Sequence, residues 1–164
     1  MMRDTPTTWL YWCTIMYAIM NGAGLWETAL FVPAWTQAPP ASLHYFHQPY
    51  GIESNHLVIF WVSIHSIHEI VFIITLITNW KTSRRNYLLL LFIAHMAVRA
   101  WTLLYFAPSI MFFQSIPISN NVDPELVSKA NLWKNLNYIR GFLFICINVL
   151  MAKLLTKDDK IKLK

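Results

Sequence analysis

Eight side chains that hydrocarbon tolerates poorly interrupt the apolar stretches of this sequence: Glu27, His65, His68, Glu69, His95, Arg99, Asn137 and Arg140. A charge at the centre of a membrane-spanning helix costs about 2.5 to 3.5 kcal/mol on insertion scales, so such a set points to mutual pairing or to chemistry. Glu27, Glu69, Arg99 and Arg140 balance in sign and fall one to each apolar stretch. His65, His68 and Glu69 stand at i, i+3 and i+4 and therefore share a helical face, as do His95 with Arg99 and Asn137 with Arg140. Counted from the outer helix ends at 1.5 Å per residue, Glu27 and Arg140 lie roughly 8 Å deep and His65 and Arg99 about 12 Å, with His68, Glu69 and His95 near the midplane.

Three kinds of chemistry suit this set. In the first, His65 or His68 is a base, Glu27 or Glu69 orients it, His95 stands with them as a catalytic candidate, and Arg99, Asn137 and Arg140 stabilise an anion at low dielectric. Trp26, Trp61, Trp101 and Trp133 are then candidate pocket walls. In the second, His65, His68, Glu69 and Glu27 hold a transition metal, because imidazole and carboxylate suit Fe, Cu or Zn. No named metal motif is present, so a site with no cofactor stands beside it. In the third, Arg99 and Arg140 merely pair with Glu27 and Glu69 to fix helix register, and Asn137 joins helices by hydrogen bonding. His44, His47 and His56 fall in a loop and read as surface residues, while Gly22 and Gly24 read as points of close helix approach.

The elements that must carry these residues follow from composition. Of 164 residues 56% are hydrophobic and only 13% charged, where soluble domains carry about a quarter charged residues. Four apolar runs, approximately 9–32, 57–77, 87–107 and 135–155, reach the roughly 20 residues a spanning helix requires. The expectation is an all-α integral membrane four-helix bundle, one domain over 1–164 with a lysine-rich tail at 156–164. Lys81, Arg84 and Arg85 and the tail lysines place the second loop and both termini in the cytoplasm, since residues 33–56 contain no Lys or Arg. The net charge of +5 is thereby accounted for by orientation in a plasma or inner membrane, and not by nucleic acid.

Cys13 and Cys146 form no Cys-x-x-Cys pair, which counts against a quinone-linked disulfide oxidase. The N-terminus lacks the basic head and cleavage site of a signal peptide, so the first run reads as a retained helix. Residues 34–56, with Pro39, Pro40 and Pro49, read as an ordered cap. The run 110–116 reads as a loop that dips into the interface. Asp123-Pro124 reads as an N-cap with Pro at the first helical position. A helix continuing from there would be about 33 residues, or roughly 50 Å. No internal repeat is evident.

The run Gly24-Leu-Trp-Glu-Thr-Ala-Leu-Phe-Val-Pro33, the pair His95-x3-Arg99, Tyr105-Phe-Ala-Pro108 and Trp133-x2-Leu-Asn-x2-Arg140 together resemble the anthrone oxygenase-like family of small four-helix membrane proteins, over nearly the whole chain. The resemblance implies oxidation of polycyclic phenolic anthrones to quinones by dioxygen, with no bound cofactor generally assigned; many bacterial relatives have no known activity. It implies His95, Arg99, Trp133, Asn137 and Arg140 as pocket positions. The His65-x2-His68-Glu69 cluster falls outside that pattern and leaves a metal-dependent variant or another chemistry open. The expected function is a membrane-embedded oxidoreductase or oxygenase acting on a hydrophobic small molecule taken up between the outer halves of the helices. The rivals are a small transporter or channel, which as a short chain would work as a homo-oligomer, and a non-catalytic membrane subunit.

Overall fold

Four long helices account for nearly all of residues 5–47 and 54–156, the part of the chain that the computed structural model describes. They are α1 (Thr5–Thr36), α2 (Ser54–Thr78), α3 (Arg85–Ser115) and α4 (Pro124–Leu154). All four are long and apolar enough to cross a membrane, and the expected all-α bundle is what forms. Around the bundle the helices run α2, α1, α4, α3, and of the neighbouring pairs α2 and α3 touch least. The 31 residues of α3 or α4 make roughly 46 Å of helix, about one and a half times the hydrocarbon thickness. The surplus builds a cap at one end.

The first and third helices are longer than the sequence patterns predict. Each runs through a proline, Pro33 in α1 and Pro108 in α3. Proline has no N–H to donate and its ring collides with the carbonyl four residues back, which ordinarily ends or kinks a helix. Here a turn of π-helix precedes each proline, Glu27–Phe31 in α1 and Thr102–Phe106 in α3. In these turns the Val32 N–H donates to Glu27 O and the Ala107 N–H to Thr102 O, five residues back. The widened turn gives the ring room and lets the helix continue. The run 110–116 is consequently the top of α3 down to Ser115, and not a loop dipping into the interface.

At the start of α4 the expected cap forms: the Asp123 carboxylate accepts from Glu125 N at 2.8 Å and from Leu126 N at 3.4 Å. The helix then runs unbroken for 31 residues. At the opposite end of the bundle the α2–α3 turn is tied to the start of α1. Asn79 Nδ2 donates to Pro6 O at 3.0 Å, the Thr75 hydroxyl to Trp9 O at 3.1 Å, and Arg84 Nη1 to Thr7 Oγ1 at 2.9 Å.

Two buried clusters result. One, inner by the orientation expected from the basic residues, lies toward the α2–α3 turn and joins Leu10, Cys13, Tyr17, Phe72, Leu88, Leu91, Ile147, Met151 and Leu154; the other, outer by the same expectation, lies toward the cap and joins Phe31, Trp35, Leu43, Phe106, Phe113 and Trp133. Of the cap expected over 34–56, the described part up to residue 47 is held in place, because the Ser42 hydroxyl donates to Trp35 O at 2.6 Å and Asp123 N donates to Pro39 O at 3.0 Å; residues 48–53 lie outside the described part. Trp35 packs on Trp133 and Phe113 at ring separations of 5.2 and 5.0 Å. His44 and His56 are exposed, as expected. The side chain of His47, together with Pro49 and tail residues 157–164, lies outside the described part.

With both π turns in view, a repeat that the sequence reading missed becomes plain. Trp26-x4-Phe31-x-Pro33 in α1 recurs as Trp101-x4-Phe106-x-Pro108 in α3, with the π turn over the same positions. Trp61-x3-His65-x2-His68-x3-Phe72-Ile73 in α2 recurs as Trp133-x3-Asn137-x2-Arg140-x3-Phe144-Ile145 in α4. The two halves of the bundle, α1–α2 and α3–α4, thus share this spacing of aromatic residues and, in α1 and α3, the π turn with its proline.

Candidate functional site

A cavity of about 240 Å3 lies beneath the aromatic cap and is lined from all four helices. Glu27 reaches it from α1, His65 and Trp61 from α2, Arg99 and Thr102 from α3, and Asn137 and Arg140 from α4. The remaining wall is largely aliphatic and aromatic, including Met20, Phe106 and Phe144. For scale, a dry cavity of about 150 Å3 holds benzene, so this one admits a molecule of two or three rings.

The polar groups are held from behind. Arg140 Nη2 donates to Asn137 Oδ1 at 2.5 Å, and Asn137 Nδ2 donates to Thr28 Oγ1 at 3.1 Å, which fixes α4 against α1. The Arg140 guanidinium also lies 4.2 Å from the centre of the Phe106 ring, a cation–π contact that needs no counter-ion. Phe106 is held in turn by Trp133, whose Nε1 donates to Phe106 O at 3.4 Å. Among the described residues Glu27 makes no direct ion pair with Arg140. The His65 ring stacks on Trp61 at 5.6 Å, and its Nδ1 is buried with no partner.

The expected single cluster of His65, His68 and Glu69 divides. Glu69 turns toward α3 and accepts from Arg99 Nε at 2.8 Å, an ion pair that joins the two least-packed helices. His68 turns into the inner core, its Nε2 3.8 Å from Cys13 Sγ. His95, also fully buried, meets the Tyr17 hydroxyl through Nδ1 at 2.8 Å. His68, His95 and Tyr17 form an edge-to-face group, with ring separations of 4.6 to 5.4 Å. His68, Glu69 and His95 therefore do not line the cavity. The physical reason is helical pitch: residues three and four apart share a face only to within about 60°, and that angle separates a cavity-lining position from a core position in a four-helix ring.

The metal expectation fares no better. Among the described residues no three His, Cys, Asp or Glu groups come together as a ligand set. Glu69 is committed to Arg99 and His68 to the core, so His65, His68, Glu69 and Glu27 do not fit an Fe, Cu or Zn shell. Of the four tryptophans expected as walls, Trp61 alone lines the cavity. Trp133 is buried in the cap, Trp101 packs against it, and Trp26 is half-exposed on the outer surface.

Several residues of the site carry signals that were passed over. Asn21, whose Nδ2 donates to Phe144 O at 3.4 Å, and Thr102 both line the cavity; an amide within an apolar run is itself a signal. Tyr17 had none beyond its aromaticity. Gly24 does not serve close helix approach. It and Gly141 line the cavity, and a Cβ at either would meet nothing within 4 Å, so these glycines leave volume open.

Comparison with protein-family models, with curated proteins and with solved structures finds no match for this chain.

Proposed function

We propose that the chain is a membrane-embedded oxidoreductase of the anthrone oxygenase-like kind, which oxidises a hydrophobic phenolic molecule in the cavity with dioxygen. The observation that carries this reading is the meeting of a carboxylate, an imidazole, two guanidinium groups and a carboxamide, drawn from four helices, in one cavity with apolar walls. In the reaction that suits it, a ring methylene of the ligand and a molecule of dioxygen give a ring carbonyl and a molecule of water. The ligand carbon is oxidised, and dioxygen is reduced. His65 removes the acidic proton of the ligand, using the ring nitrogen that has no protein partner. Arg140, held by Asn137 and Phe106, stabilises the phenolate or enolate oxygen at low dielectric. That electron-rich anion gives its electrons to dioxygen, and Glu27 receives and returns protons as the O–O bond breaks and water leaves.

A conduit for protons or ions needs polar groups that continue to the opposite face. Buried Thr75 and Asn79 do continue the α2 stripe inward; the Thr75 hydroxyl is engaged by the Trp9 and Val71 carbonyls and Asn79 Nδ2 by those of Pro6 and Thr75, while Asn79 Oδ1 is buried without a partner among the described residues. Around them Leu10, Leu88, Leu91, Ile147 and Met151 are packed closed. This favours a one-sided pocket over a channel or transporter.

The test is oxygen uptake by the purified protein in lipid nanodiscs supplied with a hydroxyanthrone. His65→Ala should lower the rate about 100-fold or more, the usual contribution of a positioned base, and Arg140→Gln by a similar factor. Melting temperatures should stay near that of the parent. Uptake that is absent from the parent, or equal in all three proteins, would remove the reading.

A further inference from the structure

We infer that the cavity is loaded sideways from the outer leaflet of the bilayer, through the opening between α2 and α3, and that its ligand is an amphipath whose apolar body stays in that opening. This rests on the reading of the cavity as a ligand site and adds the route and shape of the ligand. Above the cavity, the way to water is filled by the buried cap, where Trp35, Phe113 and Trp133 stack and the loop after α1 is stitched to the start of α4 by the Pro40–Val122 bridge. Below it, the inner core is packed shut. At the side, Val62 of α2 and Leu103 of α3 line the cavity and are yet more than half exposed, at 60% and 61%.

Val62 is eight residues into α2 and Leu103 twelve residues before the end of α3, about 12 and 18 Å at 1.5 Å per residue, which, below the length of helix that builds the cap, sets both in the outer part of the hydrocarbon layer. An exposed aliphatic side chain at that depth faces lipid tails, so the mouth they frame is wet by hydrocarbon and not by water. The poor packing of α2 against α3 has the same place in the fold. At its lower edge the Glu69–Arg99 pair crosses from one helix to the other and keeps the gap from running further down. A polar head entering through this mouth meets His65 and Arg140 at the back, while a chain or ring system behind it remains among Val62, Leu103 and lipid. A molecule confined to water has no such path.

The experiment uses a photoreactive pentadecylphenol, which does not leave the bilayer, with the parent protein in phosphatidylcholine nanodiscs and labelled residues read by mass spectrometry. Labelling should fall on the residues around the mouth. Val62→Trp and Leu103→Trp, which fill the opening from lipid-facing positions, should each reduce labelling about tenfold or more. Ile93→Trp, at an equally lipid-exposed position on α3 that does not line the cavity, should leave labelling unchanged, and all three variants should melt like the parent. Equal labelling in the mouth variants overturns the route. So does competition by a water-confined trisulfonated hydroxypyrene, or labelling confined to the cap. Labelling that is lost in the mouth variants supports the route even if no phenol supports oxygen uptake, an outcome that would remove the oxygenation reading alone.

Discussion

The two hairpins share a frame and differ in what they hang on it. In α2 the pair after Trp61 is His65 and His68; in α4 the pair after Trp133 is Asn137 and Arg140. His65 and Asn137 both line the cavity wall. The equivalent phenylalanines Phe72 and Phe144 flank His95 at the same ring separation, 5.7 Å. Matching backbones thus carry imidazole on one side and an amide–guanidinium clamp on the other. Under the proposed oxygenase reading the difference is a division of labour: one hairpin would move protons and the other would hold negative charge. The repeat is of the parallel kind, since α1 and α3 run in the same direction, and it needs no inverted topology.

The comparison can be broken most sharply at the join between hairpins. Arg99→Leu leaves the Glu69 carboxylate without its partner in hydrocarbon, and a loss on the order of 3 kcal/mol or more is expected in reversible unfolding from detergent. The double variant Glu69→Leu, Arg99→Leu should recover most of that loss. A single variant as stable as the parent would mean that the pair does not hold α2 to α3. Next in size is His65→Asn, which makes the first hairpin resemble the second. It should cut oxygen uptake about 100-fold with the melt unchanged, whereas Asn137→His should weaken ligand binding by freeing Arg140. If both substitutions act alike, the division of labour is wrong.

Tyr17→Phe removes the hydroxyl from His95 Nδ1 and strands a buried nitrogen, which costs about 1 to 3 kcal/mol; urea or thermal melts would show it, and a neutral result would place water at that nitrogen. Smaller again, Pro33→Ala and Pro108→Ala should each change stability by less than about 1 kcal/mol and by similar amounts, because the π turns already accommodate both rings. A large effect at one position only would separate the two hairpins. Orientation should show no energetic cost at all: Lys81→Cys and Asn121→Cys, both at exposed sites in a background lacking Cys13 and Cys146, should label from opposite faces of intact cells. Labelling of both from outside would reverse the topology argued from the basic residues.

The spans and the polar set were legible because hydrocarbon makes every charge conspicuous, and Glu27, His65, Arg99, Asn137 and Arg140 do meet in the cavity. What was not legible was phase. His68 and Glu69 share a face with His65 by counting, yet a bundle wall is narrower than a helical face, and only tertiary contacts decide which neighbour turns to the core and which to Arg99. The length of α1 and α3 was misread for a related reason. A proline reads as a stop, and only the extra residue of a π turn lets the helix pass it. The shared spacing of the two halves was hard to see for a different reason, since it is anchored on sparse aromatic positions and not on continuous similarity.

The two π turns carry a consequence for how this chain tolerates change in length. In a regular helix each inserted residue offsets everything beyond it by about 100° around the axis; the widened turn takes up that residue, so Trp35 and Phe113 aim into the cap from helices whose lower halves are phased to the bundle. Deleting one residue from Glu27–Phe31 or from Thr102–Phe106 would restore regular helix and keep the aim of the cap, whereas regular helix of unchanged length would swing the matching half of the cap out toward lipid. The outer and inner layers are therefore geared separately: sequence above the turns can be exchanged as a block without rephasing the bundle, provided that the turn itself travels with it.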